Sequence, residues 1–290
     1  MPKCSQWLEA PINAFAQISS LDANTAPPRA RGSVHLAAKA RDGQSHIADL
    51  RLSGSSRALF PRNRDAALEA VLLNTSGGIT GGDHFDINAT ALPHSHLTLT
   101  TQAAERAYRA LSGTPGILDT TLTVSDHAAL DWVPQETILF EGSSLRRRLR
   151  VDMATTARLL LVEPMIFGRT AMGETLHDAR LNDRIEIRRA GRLLFADAIA
   201  LEGDMQAQLD RSAIAGGARA MASLILVAPE AEAARDTLRA LLPHGCGVSL
   251  IGPDLLFARL LAEDGHMLRK ALIPALETLR ARPLPRTWML

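Results

Sequence analysis

Cysteine and aromatic residues are scarce in this chain of 290 residues. The only cysteines are Cys4 and Cys246, which are too few for a disulfide framework. Phe, Trp and Tyr together account for 4% of the residues, whereas 46% of the residues are apolar. We therefore expect a core that is built mainly from Leu, Ala, Val and Ile.

Long apolar runs and a strong net charge are also absent. No stretch of about eighteen apolar residues occurs, which argues against a membrane-spanning helix. The first residues contain one lysine and no sustained apolar segment, unlike a secretory signal. A net charge of +1 gives no overall attraction to nucleic acid or to an acidic membrane. These absences predict a cytoplasmic protein.

The motifs of several common enzyme classes and of structural zinc sites are missing too. A P-loop needs Lys-Ser or Lys-Thr after its last glycine, and a dinucleotide-binding turn needs G-x-G-x-x-G; the chain has neither. It also has no G-x-S-x-G, no H-E-x-x-H and no C-x-x-C. Nucleotide binding, a serine nucleophile on a tight turn and a closed zinc site are therefore not expected.

The most unusual segment that is present is a glycine-rich loop at residues 74–83. Its spacing indicates backbone with positive φ, or backbone that passes very close to another surface. Asp83 closes the loop and is predicted to be a fixed oxygen donor, while the loop itself is most simply a paired turn between two strands. The glycines are Gly77, Gly78, Gly81 and Gly82.

From residue 33 to residue 222 the sequence consists mostly of short alternating or β-branched runs. Turn signals such as Asp42-Gly43 and Ala190-Gly191 separate these runs at intervals of roughly 8–12 residues. This pattern predicts a mainly β fold, either layered or solenoid, rather than βαβ units. No repeat of fixed length is evident.

The last part of the chain changes character. Residues 223–227 and 246–251 are predicted strands, and residues 229–242 and 267–281 carry apolar side chains at helical spacing. A small α/β portion with two helices therefore follows the β-rich body.

These observations divide the chain into two parts. Residues 1–32 form an N-terminal extension, and residues 33–290 form one domain. Within that domain, residues 33–222 are the β-rich body and residues 223–290 are the C-terminal α/β portion.

Basic residues and histidines offer few specific signals. Arg146, Arg147 and Arg148 form a dense basic run, which on an alternating strand favours a solvated face or a partner contact. A nucleic-acid site is less consistent with the run, because stacking aromatic residues are missing nearby. His94 and His96 would share one face of a strand, and structural or solvent-facing roles explain them more simply than metal binding does.

Several carboxylates lie among apolar residues. A carboxylate at such a position is costly unless it is paired or binds a cation. This applies to Glu136, Glu163 and Glu174, and Arg169 is the expected partner of Glu163 or Glu174. Pro134 precedes Glu136 and indicates an edge strand or a kink.

Two conformations remain open for residues 100–109. In a helix, Glu105 and Arg109 would pair across one turn. In a strand, Gln102, Arg106 and Tyr108 would share one face, with Glu105 on the other face.

Together these segments resemble the family of the urease accessory protein UreD, also called UreH. The matching segments occur in order over nearly the whole domain: residues 74–83, 100–105, 108–109, 132–140, 167–169, 173–174 and 285–288. The motif residues that the resemblance singles out as structural are Gly77, Gly78, Gly81, Gly82, Gln102, Tyr108, Trp132, Pro134, Arg169 and Trp288.

The resemblance implies a non-enzymatic scaffold and metallochaperone. Such a protein, with UreF and the GTPase UreG, docks on apo-urease and helps to deliver nickel to the active site through an internal polar channel. The resemblance also implies a stacked-strand, β-helix-like fold with few helices, and it allows a homodimer within the complex. No tightly bound cofactor is expected, and Ni²⁺ is a transient cargo.

Within the matching segments, six residues form a hypothetical transient nickel path. A conduit needs weak, successive ligands, because a tight closed site would trap the ion. We also expect the apolar tail, residues 250–290, to contribute to the contact with UreF. The path residues are Asp83, His84, Glu105, Glu136, Glu163 and Glu174.

The alternative is a metal-dependent enzyme on a β-rich barrel. In that interpretation His84, His94 and His96 bind the metal, and Glu105 or Glu136 acts as the base. It predicts a concave pocket in which the three histidines converge.

Overall fold

The computed structural model describes residues 28–62, 65–111 and 113–289. Most of the proposed N-terminal extension, including Cys4, lies outside these residues. The strands are β1 Arg31–Arg41, β2 Gln44–Gly54, β3 Ser56–Leu59, β4 Leu68–Asn74, β5 His84–Ala91, β6 His96–Thr101, β7 Glu105–Ala107, β8 Gly116–Val124, β9 Ala129–Trp132, β10 Thr137–Leu139, β11 Ser144–Met153, β12 Arg158–Phe167, β13 Ala179–Arg189, β14 Arg192–Gly203, β15 Ala220–Val227, β16 Gly247–Leu250 and β17 Leu255–Ala262. The helices are α1 Met205–Asp210, α2 Ala231–Leu241 and α3 Gly265–Arg280, with short 3-10 turns at Thr170–Met172 and Arg286–Met289.

The strands form two sheets. Sheet A has seven strands in the order β14-β13-β11-β8-β5-β1-β2. Sheet B has the order β16-β17-β15-β12-β9-β6-β4-β3, and β10 joins it by pairing with both β12 and β7.

The chain alternates between the sheets, so that each turn of the chain stacks on the previous one. From β5 to β12 it runs from sheet A to sheet B and back, and strands that neighbour one another in a sheet are parallel. Successive coils begin with β5, β8 and β11, at residues 84, 116 and 144, so their lengths differ. This variation explains why no fixed repeat is visible in the sequence.

Antiparallel hairpins close both edges of sheet A. The β1–β2 and β13–β14 hairpins lie at opposite edges of the sheet, and each contains a shift in register. Their tight turns use residues with positive φ, such as Asp42 and Gly43 in the first hairpin.

The main core lies between the two sheets. On β11, Leu149 and Val151 point inwards and the residues between them point outwards, as the period of a strand requires. They meet apolar side chains of sheet B such as Leu159 and Leu161 of β12.

Sheet B is apolar on its second face as well. Leu160 and Val162 of β12 pack against a second core, to which Leu272 and Leu276 of α3 contribute. Since both faces are covered, β12 and β15 are almost completely buried and read as continuous apolar runs.

A buried aspartate holds the C-terminal segment on sheet B. Asp131 of β9 is inaccessible to solvent and contacts Arg280 at 3.2 Å, Arg282 at 2.8 Å and His96 at 3.1 Å. Burial would raise the pKa of Asp131, but the His96 hydrogen bond and the two arginine charges outweigh it and lower the pKa far below its usual value. Its ion pairs therefore stabilise the fold above the ordinary carboxyl range and are lost only in strong acid.

The structure confirms the predicted fold class. It is mainly β with stacked strands, and the two predicted C-terminal helices correspond to α2 and α3. The short helix α1 was not predicted. No helix in the described ranges is long and apolar enough to cross a membrane.

Trp288 is the principal apolar anchor of the C-terminal segment, and its removal is expected to destabilise the domain. The side chain is 1% exposed in the second core, and its ring nitrogen donates to the Val133 carbonyl oxygen at 3.0 Å. Trp288→Ala should lower the free energy of unfolding by about 3–5 kcal/mol, measured by urea titration. Met289→Ala, at a neighbouring exposed position, should change it by less than about 0.5 kcal/mol. Equal losses in the two variants would contradict this anchoring role.

Candidate functional site

A cavity of about 220 Å³ lies between the two sheets. Inner-face residues of sheet A, such as Leu118 and Thr120, form one wall, and Trp132 of sheet B contributes to the other. The partly exposed segment 102–106 forms its outer rim.

The cavity exists because the pairing of neighbouring strands in sheet B is interrupted beside it. Parallel pairing of β9 with β12 ends at Trp132, and pairing of β10 with β12 begins only at Thr137. Pro134, which cannot donate a backbone hydrogen bond, lies in the gap, consistent with the interruption that the sequence predicts as an edge strand or a kink. Glu163 of β12 lies beside the gap, and its side chain lines the cavity.

A buried cluster of ionised groups forms one side of the cavity. The Arg147 guanidinium donates to both oxygens of Asp183, at 3.2 and 2.7 Å. It also contacts a Glu163 oxygen at 2.8 Å and the Thr137 hydroxyl at 2.9 Å. The Trp132 ring nitrogen donates to the other Glu163 oxygen at 2.5 Å. One guanidinium therefore serves two carboxyl groups.

The surroundings shift the pKa values in this cluster. Burial would lower the pKa of Arg147, but Asp183 and Glu163 outweigh it and raise that pKa, so the guanidinium stays charged. Burial also raises the pKa of Glu163, and the neighbouring Asp183 charge adds to the rise, while Arg147 and Trp132 oppose it. A cation that approached Glu163 would relieve the same unfavourable charge.

Glu105 lies at the rim of the cavity. Its two carboxylate oxygens each lie 3.3 Å from the Asn74 amide nitrogen, and one accepts a hydrogen bond from the Arg106 backbone at 3.1 Å. Burial raises the pKa of Glu105, although these contacts oppose the rise. Residues 105–107 form strand β7, which settles the question left open by the sequence.

The glycine-rich loop is a structural element that positions this rim. Gly77 and Gly82 have φ values of 83° and 86°, which other residues rarely adopt. A Cβ on Gly78 would lie 2.3 Å from the Tyr108 ring, so the loop and β7 pack closely. Within the loop, the Asn74 side-chain amide donates a hydrogen bond to the Gly78 carbonyl oxygen at 3.1 Å.

Asp83 braces the same loop instead of lining the cavity. It is 4% exposed, and its carboxylate accepts hydrogen bonds from the backbone nitrogens of Ala30 and Thr80, both at 2.8 Å. The adjacent residue, His84, lies on the outer face of sheet A.

The remaining members of the hypothetical nickel path lie in separate ion pairs. Glu136 is buried against Arg269, with a closest contact of 2.6 Å. Glu174 pairs with Arg169 at 2.9 Å, and this second pair is the one anticipated from the sequence. Of the six path residues, only Glu105 and Glu163 line the cavity. A contact between nickel and any of the six stays a prediction.

The three histidines of the alternative enzyme model are not brought together. His84 is at the first residue of β5, whereas His94 lies in the turn beyond the other end of that strand and stacks on His127 at 5.2 Å. His96 belongs to sheet B and contacts Asp131. The expected convergence is therefore incorrect, because the turn between β5 and β6 directs these side chains to different parts of the fold.

Two residues of the ionic cluster were missed in the sequence. The arginine run favours a solvated face or a partner contact, but only Arg146 and Arg148 point outwards, and Arg147 is buried. Arg147 is at an inward position between Leu145 and Leu149, and the period of two was the available signal. Asp183 occupies the corresponding inward position of β13, in register with Arg147.

Removal of the shared guanidinium should leave two buried carboxylates without their counter-charge. Arg147→Ala is expected to lower the free energy of unfolding at neutral pH by about 3–5 kcal/mol. The deficit should shrink as the pH falls, since protonation of Glu163, whose pKa is raised in the folded state, removes the repulsion. Urea titrations at several pH values would measure both effects. Arg148→Ala, on the exposed face of the same strand, is the matched control, and a deficit that grew in acid would contradict this account.

The chain was compared with known proteins. A family model described as UreD urease accessory protein matches residues 30–289. The chain is 50% identical to the urease accessory protein UreD of Ruegeria sp. (strain TM1040), over 100% of both chains. Identity to the UreD of Roseobacter denitrificans is 49%, over 91% of this chain and 96% of the relative. For the UreD of Rhizobium rhizogenes it is 42%, over 92% and 98%. The chain therefore belongs to the UreD family of urease accessory proteins.

Proposed function

We propose that this urease accessory protein is a non-enzymatic scaffold that conveys nickel towards apo-urease through the polar cavity between its sheets. It acts in the cytoplasm, in a complex with UreF and the GTPase UreG. The observation that carries this proposal is the buried cluster at a cavity wall in which one guanidinium, Arg147, faces two carboxyl groups, Glu163 and Asp183.

The size of the cavity suits a hydrated ion. One ordered water needs only about 10–15 Å³ of such space, so a cavity of about 220 Å³ holds a cation with several water molecules. A divalent ion can then pass through without losing its whole hydration shell at once.

The chemistry of the lining suits transient binding. The described lining residues offer carboxylate, amide and hydroxyl oxygens, at Glu105, Gln102 and Thr137 among others, but neither histidine nor cysteine. Nickel binds imidazole and thiolate more tightly than it binds carboxylate oxygens, so this lining attracts the ion without retaining it. Arg147 also keeps the binding of nickel transient, because its guanidinium competes with the cation for Glu163.

The test is nickel-dependent activation of urease with the complete set of accessory proteins. Glu105→Gln and Glu163→Gln remove a charge while they keep the shape of the side chain. Each should co-purify with UreF, UreG and apo-urease, and should activate urease several-fold less than the parent at limiting nickel. Excess nickel should restore much of the difference. Glu202→Gln, at an exposed position outside the cavity, is the matched control and should behave like the parent.

Two outcomes would contradict nickel transfer through the cavity. Full activation by both cavity variants at limiting nickel would favour an adaptor that makes no metal contact. Loss of co-purification with no defect in activation per complex would assign the carboxylates to folding or docking.

The tail contributes to the UreF contact through its exposed apolar side chains. Leu284 and Trp288 are buried in the domain, so truncation after Arg282 would disturb the core along with any surface. Met267 and Met289, which are about half exposed, are better positions to test.

A double variant tests this surface without removing the core residues. Met267→Glu with Met289→Glu should reduce the amount of UreF that co-purifies by about tenfold or more, since a charge placed at an apolar contact is costly to desolvate. Leu193→Glu, on an exposed position of β14, is the control. Unchanged recovery of UreF with the double variant would exclude these positions from the contact.

A further inference from the structure

A second group of ionisable residues lies on the outer face of sheet A. His84 and Asp86 alternate along β5 and point the same way, and Asp119 of β8 lies directly beside Asp86 in the strand register. The residues between them point inwards: Phe85 packs in the core and Leu118 lines the cavity. The sheet therefore separates this group from the cavity.

The distances within the group match those between ligands of one metal ion. The His84 Nε2 atom lies 3.4 Å from the Asp86 Oδ2 atom and 3.6 Å from the Asp119 Oδ2 atom. Two ligand atoms bound about 2.1 Å from a metal are about 3.0 Å apart at a right angle and about 3.4 Å apart in a tetrahedron. All three ligand atoms lie within 4.8 Å of one another, so side-chain rotations could bring them to bonding distance of one ion.

The imidazole nitrogen that faces the two carboxylates lacks a hydrogen bond. The His84 Nε2 atom is shielded from solvent and has no hydrogen-bond partner in the described part of the chain. Its separations from the aspartates exceed the usual range for a hydrogen bond, which ends near 3.2 Å for a nitrogen donor. A buried polar atom without a partner is unfavourable, and a bound cation would use its lone pair.

The charges nearby leave the carboxylates available. Among the described residues, no arginine or lysine forms an ion pair with Asp86 or Asp119. Arg31 of β1 is in register with His84, and Arg148 of β11 is in register with Asp119, so both flank the group. With a neutral imidazole, the two aspartates supply the charge that a divalent ion requires.

We propose that His84, Asp86 and Asp119 form a binding site for a divalent cation of borderline character, Zn²⁺ or Ni²⁺. An imidazole ligand favours these ions over Mg²⁺ and Ca²⁺, which prefer oxygen alone. Three protein ligands on an outer face leave coordination positions for water or for a group from a partner. This site is additional to the cavity of the proposed function and requires no partner protein.

Equilibrium dialysis of the full-length chain with Zn²⁺ or Ni²⁺ alone tests the proposal. One equivalent should bind to the parent chain. His84→Ala and Asp119→Asn should each weaken its binding by roughly 10- to 100-fold or more, since even the loss of a supporting partner has such effects. X-ray absorption spectra of the bound metal should contain one imidazole among oxygen ligands in the parent and none in His84→Ala.

Two controls separate this site from other sources of binding. His35→Ala removes a histidine from the same sheet face, where the ring lies 3.4 Å from the single aspartate Asp49. Glu163→Gln alters the cavity instead. Neither variant should affect the equivalent bound at the outer face, and all variants should show unchanged circular dichroism.

Three results would overturn the site. They are the absence of any bound Zn²⁺ or Ni²⁺ in the parent, unchanged binding in both His84→Ala and Asp119→Asn, and an equal loss in His35→Ala. None of them depends on urease activation, so a failure of this site is distinguishable from a failure of nickel transfer through the cavity.

Discussion

The fold depends on one constraint: the central strands of sheet B, β12 and β15, must be covered on both faces. Strands that are apolar on both sides are stable only between two other layers. Sheet A provides one of these layers, and α2, α3 and the C-terminal segment provide the other. The tail is therefore part of the core, and the ion pairs of Asp131 with Arg280 and Arg282 fix its return across the sheet.

Within this apolar framework, Arg147, Glu163 and Asp183 are buried between the sheets where the strand ladder of sheet B is interrupted. Trp132 ends one strand and Thr137 begins the next, and β12 passes both without a break. Glu163 is exposed to the resulting gap, and Arg147 and Asp183 of sheet A complete its contacts. Since a well-packed apolar replacement is often as stable as a buried ion pair, stability alone does not explain this cluster. The nickel transfer that we propose would explain it.

Much of the fold could be predicted from the sequence, because strand periodicity and turn residues are local signals. Both C-terminal helices were predicted for the same reason. The set of residues that lines the cavity was harder to predict, because these residues come from several separate strands. Asp83 and His84 are adjacent in sequence, yet Asp83 ends the loop and braces it, whereas His84 begins β5 and faces outwards. The pairing of Arg147 with Asp183 depends on which strands become neighbours, and the unequal coil lengths conceal that information.

The hairpins at the two edges of sheet A determine how the molecule can associate. A stack of parallel strands presents unpaired backbone groups at each end, to which another chain could add and so begin a filament. Here each terminal strand reverses direction, and each hairpin contains a shift in register, so neither edge is a regular template. Growth by strand addition is thereby disfavoured at these edges, which favours contacts between side chains, where recognition can be selective, over open-ended filaments.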